Sequence, residues 1–218
     1  DNLKDGWKYY LEEAEQEPEV QAQLDEIHKE YSALNPEDIH FIDPCMGSGH
    51  ILVYAFDVLM QIYESVGYTR RDAAKSIVEN NIYGLDIDDR AYQLAYFAVM
   101  MKACEYDGRF LDRGVRPHIY SIQESNSINR NQLKFFGNGL SEIEKNNALN
   151  QMLGLLDVFI DAKEYGSILN VEKYDWNLLT RFVDCIDDGG QISMETIGID
   201  ENQKKLQQII ALAKTMSD

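Results

Sequence analysis

The stretch FIDPCMGSGHILVYAF, residues 41–56, decides the reading of this 218-residue chain. A short apolar run ends in Asp43, a turn of small residues follows, and helical periodicity begins at once near Ile51. In an open α/β sheet, ligands bind in the crevice outside the carboxyl ends of the strands. Gly47 and Gly49 permit positive φ and a close backbone approach that a Cβ blocks. The unpaired N–H groups of the new helix then face whatever sits above the strand. The third glycine of a dinucleotide fingerprint falls at position 52, which is Leu52, so a pyrophosphate cradle is disfavoured. No Lys-Ser or Lys-Thr follows the turn, as a phosphate loop requires. A turn that uses Gly and Ser for steric reasons alone is the plain alternative. Asp43 followed by Pro44 argues against it, because it sets a carboxylate at the rim of the crevice.

Working outward, IHFID (39–43) reads as a strand and ILVYAFDVLMQIYESVG (51–67) as a helix ending near Gly67. A second helix is expected over 70–80, with Thr69 as its N-cap and Asp72 in its first turn. IYGLDI (82–87) reads as a buried strand, Asp88 as the cap of a helix through AYQLAYFAVMMKACEY, and HIYSIQE (118–124) as a third strand. Alternation of strand and helix predicts a parallel sheet with helices on its faces. Upstream, a helix over 18–33 is broken by Asn35-Pro36. Downstream, helices are expected at 141–150, 176–186 and 199–215, with a stretch at 155–169 that turns extended after Gly166 and a break at DDGG (187–190). The expected division is a helical lead-in (1–38), an α/β core (39–125) and a mostly helical extension (126–218).

Asp86 ends the second strand, where an acid accepts both hydroxyls of a ribose and repels a ribose phosphate. Glu124 ends the third strand as read here, within reach of an adenine amine; a solvated loop carboxylate is the alternative. Three acids at three successive strand ends suit a ligand carrying an ammonium, a sulfonium and ribose hydroxyls better than an anionic dinucleotide. Asp88 and Asp89 have an ordinary reading as acids at a helix start. The aromatic residues of the 51–63 and 92–106 helices are expected in the core. His40, His50 and His118 lack metal-ligand spacing, and no metal is assigned.

Acidic residues outnumber basic ones by 38 to 20, a net charge of −18. Such a surface repels phosphate, so little or no DNA binding is expected of these residues by themselves. Cys45, Cys104 and Cys185 are odd in number and widely spaced, which suggests a reducing cytoplasm rather than a disulfide framework. No apolar run reaches the length of a membrane span and no signal peptide opens the chain. Both ends read as cuts within a longer protein.

DPCMGSGH resembles the D-P-A-C-G-S-G motif of DNA methyltransferases that modify the adenine amine, with Cys45-Met46 in place of Ala-Cys. IYGLDIDDRAYQLAYFAVMMKA resembles the second motif of those enzymes. Together with WKYYLEEAEQEPEVQAQLDEI and FIDAKEYGSIL, most of the chain is similar to the PglX-type adenine methyltransferases of bacterial BREX phage-defence systems. That resemblance implies a partial Rossmann-like fold, S-adenosyl-L-methionine as cofactor, and DNA and other defence proteins as partners of the longer protein. It also implies that Asp43, Pro44, Cys45 and Gly47, in the turn that Gly49 closes, line the methionine side. Asp86 then holds the ribose, Ile87 faces the adenine, and Glu124 and Ser125 approach the adenine ring. The family's catalytic tetrapeptide, Asn-Pro-Pro-Tyr or a close variant, does not occur: the four prolines, at 18, 36, 44 and 117, are all isolated. The groups that hold and stack a flipped adenine are therefore missing, no catalytic residue is assigned, and these residues alone are expected not to methylate DNA. The alternatives are a nucleotide-dependent oxidoreductase domain and a non-enzymatic acidic interaction module.

Overall fold

The computed structural model describes residues 3, 6–31, 34–186 and 197–217. The described elements are α1 (Pro18–Tyr31), β1 (Phe41–Asp43), α2 (His50–Ser65), α3 (Arg70–Ser76), β2 (Ile82–Asp86), α4 (Asp89–Tyr106) and β3 (His118–Ser121), then α5 (Glu142–Val158), α6 (Ala162–Tyr165), α7 (Trp176–Asp184) and α8 (Ile199–Ser217). The strands form one sheet in the order β1-β2-β3. β1 and β2 run parallel, in the register Phe41↔Ile82, Ile42↔Tyr83, Asp43↔Gly84. The alternation read from the sequence is thus an α/β arrangement. The residues divide into two compact units, one reaching Gly84 and including Arg90–Ile119, the other made of Leu85–Asp89 and the chain from Tyr120 onward.

In the first unit, α2 buries Leu52, Phe56, Leu59, Met60 and Tyr63 against Ala73, Ala74 and Ile77 and against Ala95, Val99 and Ala103 of α4. Small residues on α3 and α4 let the helices approach the large ones of α2, and each large side chain buried contributes about 1.5–3 kcal/mol. Thr69 caps α3 as expected, its Oγ1 accepting the Asp72 N–H at 3.3 Å. The helix expected over 70–80 ends its α-turns at Ser76, and its last turn widens so that the Ile82 N–H reaches back to the Ile77 carbonyl. That wide turn places Asn81 inside, at 0% exposure. Its amide donates to the carbonyls of Pro36 and Ile39 at 2.6 and 2.7 Å, and its oxygen accepts the Tyr63 hydroxyl at 2.9 Å. The Asn35-Pro36 break is thereby pinned just ahead of β1. Phe97 departs from expectation: it is 64% exposed, on the side of α4 opposite the buried Ala95–Val99–Ala103 stripe.

In the second unit, Ser141 and Glu144 form a reciprocal capping box at the start of α5. The helix runs on past 150 to Val158 because Met152, Leu155 and Leu156 continue its buried stripe. α7 buries Leu178, Leu179, Phe182 and Val183, in one core with Leu206, Ile209 and Leu212 of α8. Gly166–Ile168, expected to be extended, is instead a 3₁₀ turn that follows the short α6. β3 stops at Ser121 and not at 124. Ile122 N–H still reaches the Asp86 carbonyl at 2.8 Å, but Ser125 N–H turns to the Phe159 carbonyl at 2.9 Å, which draws the chain off the sheet. The break expected at 187–190 lies outside the described residues.

Candidate cofactor site

The turn after β1 is built around Asp43, which is 7% exposed. Its Oδ1 accepts the Cys45 N–H at 3.1 Å, which bends the chain back over the strand end. Its Oδ2 is buried with no hydrogen-bond partner among the described residues. Pro44 and Cys45 are exposed while Met46 turns inward. The exchange of Ala-Cys for Cys45-Met46 thus leaves the thiol on the rim and sends the thioether into the core. Gly84 receives it: a Cβ there would stand 2.6 Å from Met46 Sδ and 2.8 Å from Leu52 Cδ1.

The two turn glycines do different work. Gly47 has φ +55, and a Cβ added to it meets no described atom within 4 Å, so the space above it stays open. Gly49 is the N-cap of α2 at φ +82, and its Cβ would lie 2.9 Å from Ala95 Cα. Only glycine lets the start of α2 lie against α4. An N-cap without a side chain, and a first turn without an acid, leave the positive end of the α2 dipole uncompensated by its own residues.

The second unit carries the other expected ligands. Half-buried Asp86 ends β2, and its Oδ1 accepts the Asp88 N–H at 2.9 Å. Ile87 is 54% exposed. Asp89 opens α4 as an N-terminal acid; its carboxylate accepts from Gln123 Nε2 at 3.3 Å and pairs with Lys163 Nζ at 3.4 Å. A hydrogen bond from Ser121, with the neighbouring Lys163 and Gln123, holds that carboxyl below its ordinary value although burial opposes this. Glu124 lies beyond the end of β3, and its Oε1 accepts the Lys163 N–H at 3.4 Å. Ser125, expected beside the adenine, is 2% exposed. Its hydroxyl donates to the Leu156 carbonyl at 2.6 Å, so that group is engaged within the fold.

The sequence reading missed Gly84 and the pairing of Asn126 with Asp161. A lone Gly inside a strand pattern is a known sign of close approach; for the pair, 35 residues apart, local sequence carries no sign.

The first strand of this α/β arrangement ends in a buried carboxylate ahead of a Gly-rich turn, and the second ends in another acid. The chain belongs to the family described as MmeI, DNA-methyltransferase domain, which matches residues 12–136. It is 39% identical over 215 residues to the adenine-specific methyltransferase PglX of Lacticaseibacillus casei, covering 97% of this chain and 17% of that protein. It is 43% identical over 198 residues to the adenine-specific methyltransferase BrxX of Escherichia coli (strain HS), covering 84% and 16%. A putative type II restriction enzyme and methyltransferase of Methanocaldococcus jannaschii is 34% identical over 125 residues, 53% of this chain and 10% of that protein. The chain therefore spans about a sixth of the length of the first two relatives. Among the described residues no group of three or more His, Cys, Asp or Glu is placed to hold a metal ion, and no described helix is long and apolar enough to cross a membrane.

Proposed function

We propose that this chain is the S-adenosylmethionine-binding part of an adenine-specific DNA methyltransferase of restriction-modification or phage defence, and that its sheet is part of a Rossmann-like fold. The carrying observation is Asp43 Oδ2, a buried acceptor without a partner among the described residues. Leaving such an atom unsatisfied costs about 1–3 kcal/mol, and more when it is charged. A ligand ammonium relieves that cost, and the methionine part of the cofactor has one. Its carboxylate suits the uncompensated start of α2, and the open space at Gly47 admits it. Pro44 and Cys45 form the exposed rim of the same turn, which Gly49 closes. In the second unit Asp86 takes the ribose hydroxyls, Ile87 an adenine face and Glu124 the adenine amine. When bound, the cofactor supplies a methyl group activated by a sulfonium.

Adenine specificity comes from what the relatives are called, and the chain's own membership in a methyltransferase family argues against the oxidoreductase alternative. We assign residues 1–38 as a lead-in, 39–125 as the cofactor core and 126–218 as an extension ahead of the catalytic motif. Lacking the Asn-Pro-Pro motif, the chain alone binds cofactor without methylating DNA. With a net charge of −18, it leaves DNA binding to other parts of the longer protein, a cytoplasmic enzyme that works with other defence proteins. Calorimetry with S-adenosylmethionine, its demethylated product and NAD tests the reading. The first two bind, and Asp43→Ala and Asp86→Ala each weaken them at least tenfold, about 1.4 kcal/mol. Binding of NAD alone refutes it.

A further inference from the structure

The sequence FIDAKEYG, residues 159–166, has no role in the site as assigned so far. Asp161 within it stands at φ +50, the one non-glycine in the left-handed region among the described residues. It is held there from outside. Its N–H donates to Asn126 Oδ1 at 3.0 Å, and its Oδ1 accepts from Asn126 Nδ2 at 2.6 Å. Next door, Ser125 bonds the carbonyls of Phe159 and Leu156. Four hydrogen bonds thus fasten 125–126 to 156–161. Both Asn126 and Asp161 are exposed, so burial of apolar surface does not account for the clasp. Its effect is geometric. Past the reversal at Asp161, the Lys163 N–H meets Glu124 and its ammonium meets Asp89. Gly166, at φ +60 and ψ −136, a region open to little but glycine, then comes against Ile87. A Cβ on Gly166 would lie 3.6 Å from Ile87 Cγ2, yet Ile87 stays 54% exposed. Strain held by side chains at a ligand-bearing strand end is a sign of pre-organisation.

We propose that the Asn126–Asp161 clasp makes residues 161–166 a fixed wall of the nucleoside subsite, with Gly166 keeping the Ile87 face open for the adenine of an adenosyl ligand. Asn126 and Asp161 are positioning residues, and the inference rests on the S-adenosylmethionine reading. The probes are S-adenosylhomocysteine and 5′-methylthioadenosine, titrated calorimetrically into this chain and its variants, with hydrogen exchange followed at residues 162–166. Asn126→Ala, at an exposed position, weakens both ligands about tenfold or more while the melting temperature of the unliganded protein stays near that of the parent. Asp161→Asn, which tolerates the left-handed conformation and keeps an acceptor, binds within about threefold of the parent. Exchange at 162–166 slows when either ligand binds. Parental affinity in Asn126→Ala, or exchange at 162–166 that ignores the ligand, overturns the wall while leaving the cofactor reading intact. If the parent chain binds neither ligand, the cofactor reading itself fails and takes this inference with it.

Discussion

Gly47 and Gly49 look equivalent in sequence, and the structure predicts that alanine at each has a different consequence. At Gly47 the added methyl meets no described atom within 4 Å, and φ is +55. The cost is then the left-handed conformation alone, about 1–2 kcal/mol. At Gly49 the same kind of backbone term applies at φ +82, and the methyl would stand 2.9 Å from Ala95 Cα and 3.0 Å from Ala95 Cβ. Pushing α2 off α4 adds overpacking of about 1–3 kcal/mol, so Gly49→Ala totals about 2–5 kcal/mol. For a chain of this size each kcal/mol lowers the melting temperature by about 2–4 °C. Gly47→Ala therefore melts roughly 2–8 °C lower and Gly49→Ala roughly 4–20 °C lower, read by circular dichroism. The cause is separable by a double-mutant cycle. Ala95→Gly removes one of the two clashing atoms, so the pair Gly49→Ala/Ala95→Gly is less unstable than the sum of the singles, by about 0.5–3 kcal/mol. Equal losses at 47 and 49, or a coupling of zero, refutes the assignment of Gly49 to helix packing.

Two further outcomes follow from the same geometry. Cys45 is exposed on the rim of the turn, so S-adenosylhomocysteine slows its alkylation, measured by peptide mass spectrometry, and leaves exposed Cys185 unchanged; equal protection of both thiols contradicts the placement. Tyr106 donates to Asp57 Oδ1 at 2.8 Å, and burial, then that hydrogen bond, push its phenol up to about 12 from 10. A raised folded-state value means that its contribution to stability is complete below pH 10 and lost as the pH rises toward about 12. Tyr106→Phe removes that alkaline step from the stability profile, and an unchanged step assigns it to another group.

What was legible in the sequence is what a residue's own backbone needs decide. The strand ends at Asp43 and Asp86, the positive φ at Gly47 and Gly49 and the cap at Thr69 are local demands, and each is met by a residue type that few others replace. The limits of β3 were not local: whether the chain leaves the sheet at 121 or 124 depends on the Phe159 carbonyl taking the Ser125 N–H, an event set by a segment more than thirty residues away. The same cause hid the bond from the Ser125 hydroxyl to Leu156 and hid Gly84, whose need for hydrogen in place of a side chain appears only once Met46 is seen beneath the turn. Phe97 failed for a different reason: α4 is apolar on more than one side, so periodicity does not say which stripe is covered.

The pattern bears on the site itself. For Asp43, sequence shows the type of group but not whether both of its oxygens are paired. Asp43 was a carboxylate at a strand end before the structure. It becomes a binding argument because its Oδ2 is buried and unpaired among the described residues, where a carboxylate meant only for folding has both oxygens bonded or in water. Asp89, the acid that opens α4, shows the contrast: its oxygens accept from Gln123 and Lys163. Acidic residues are therefore not interchangeable candidates, and for Asp43 and Asp89 the pairing of each oxygen is what tells them apart.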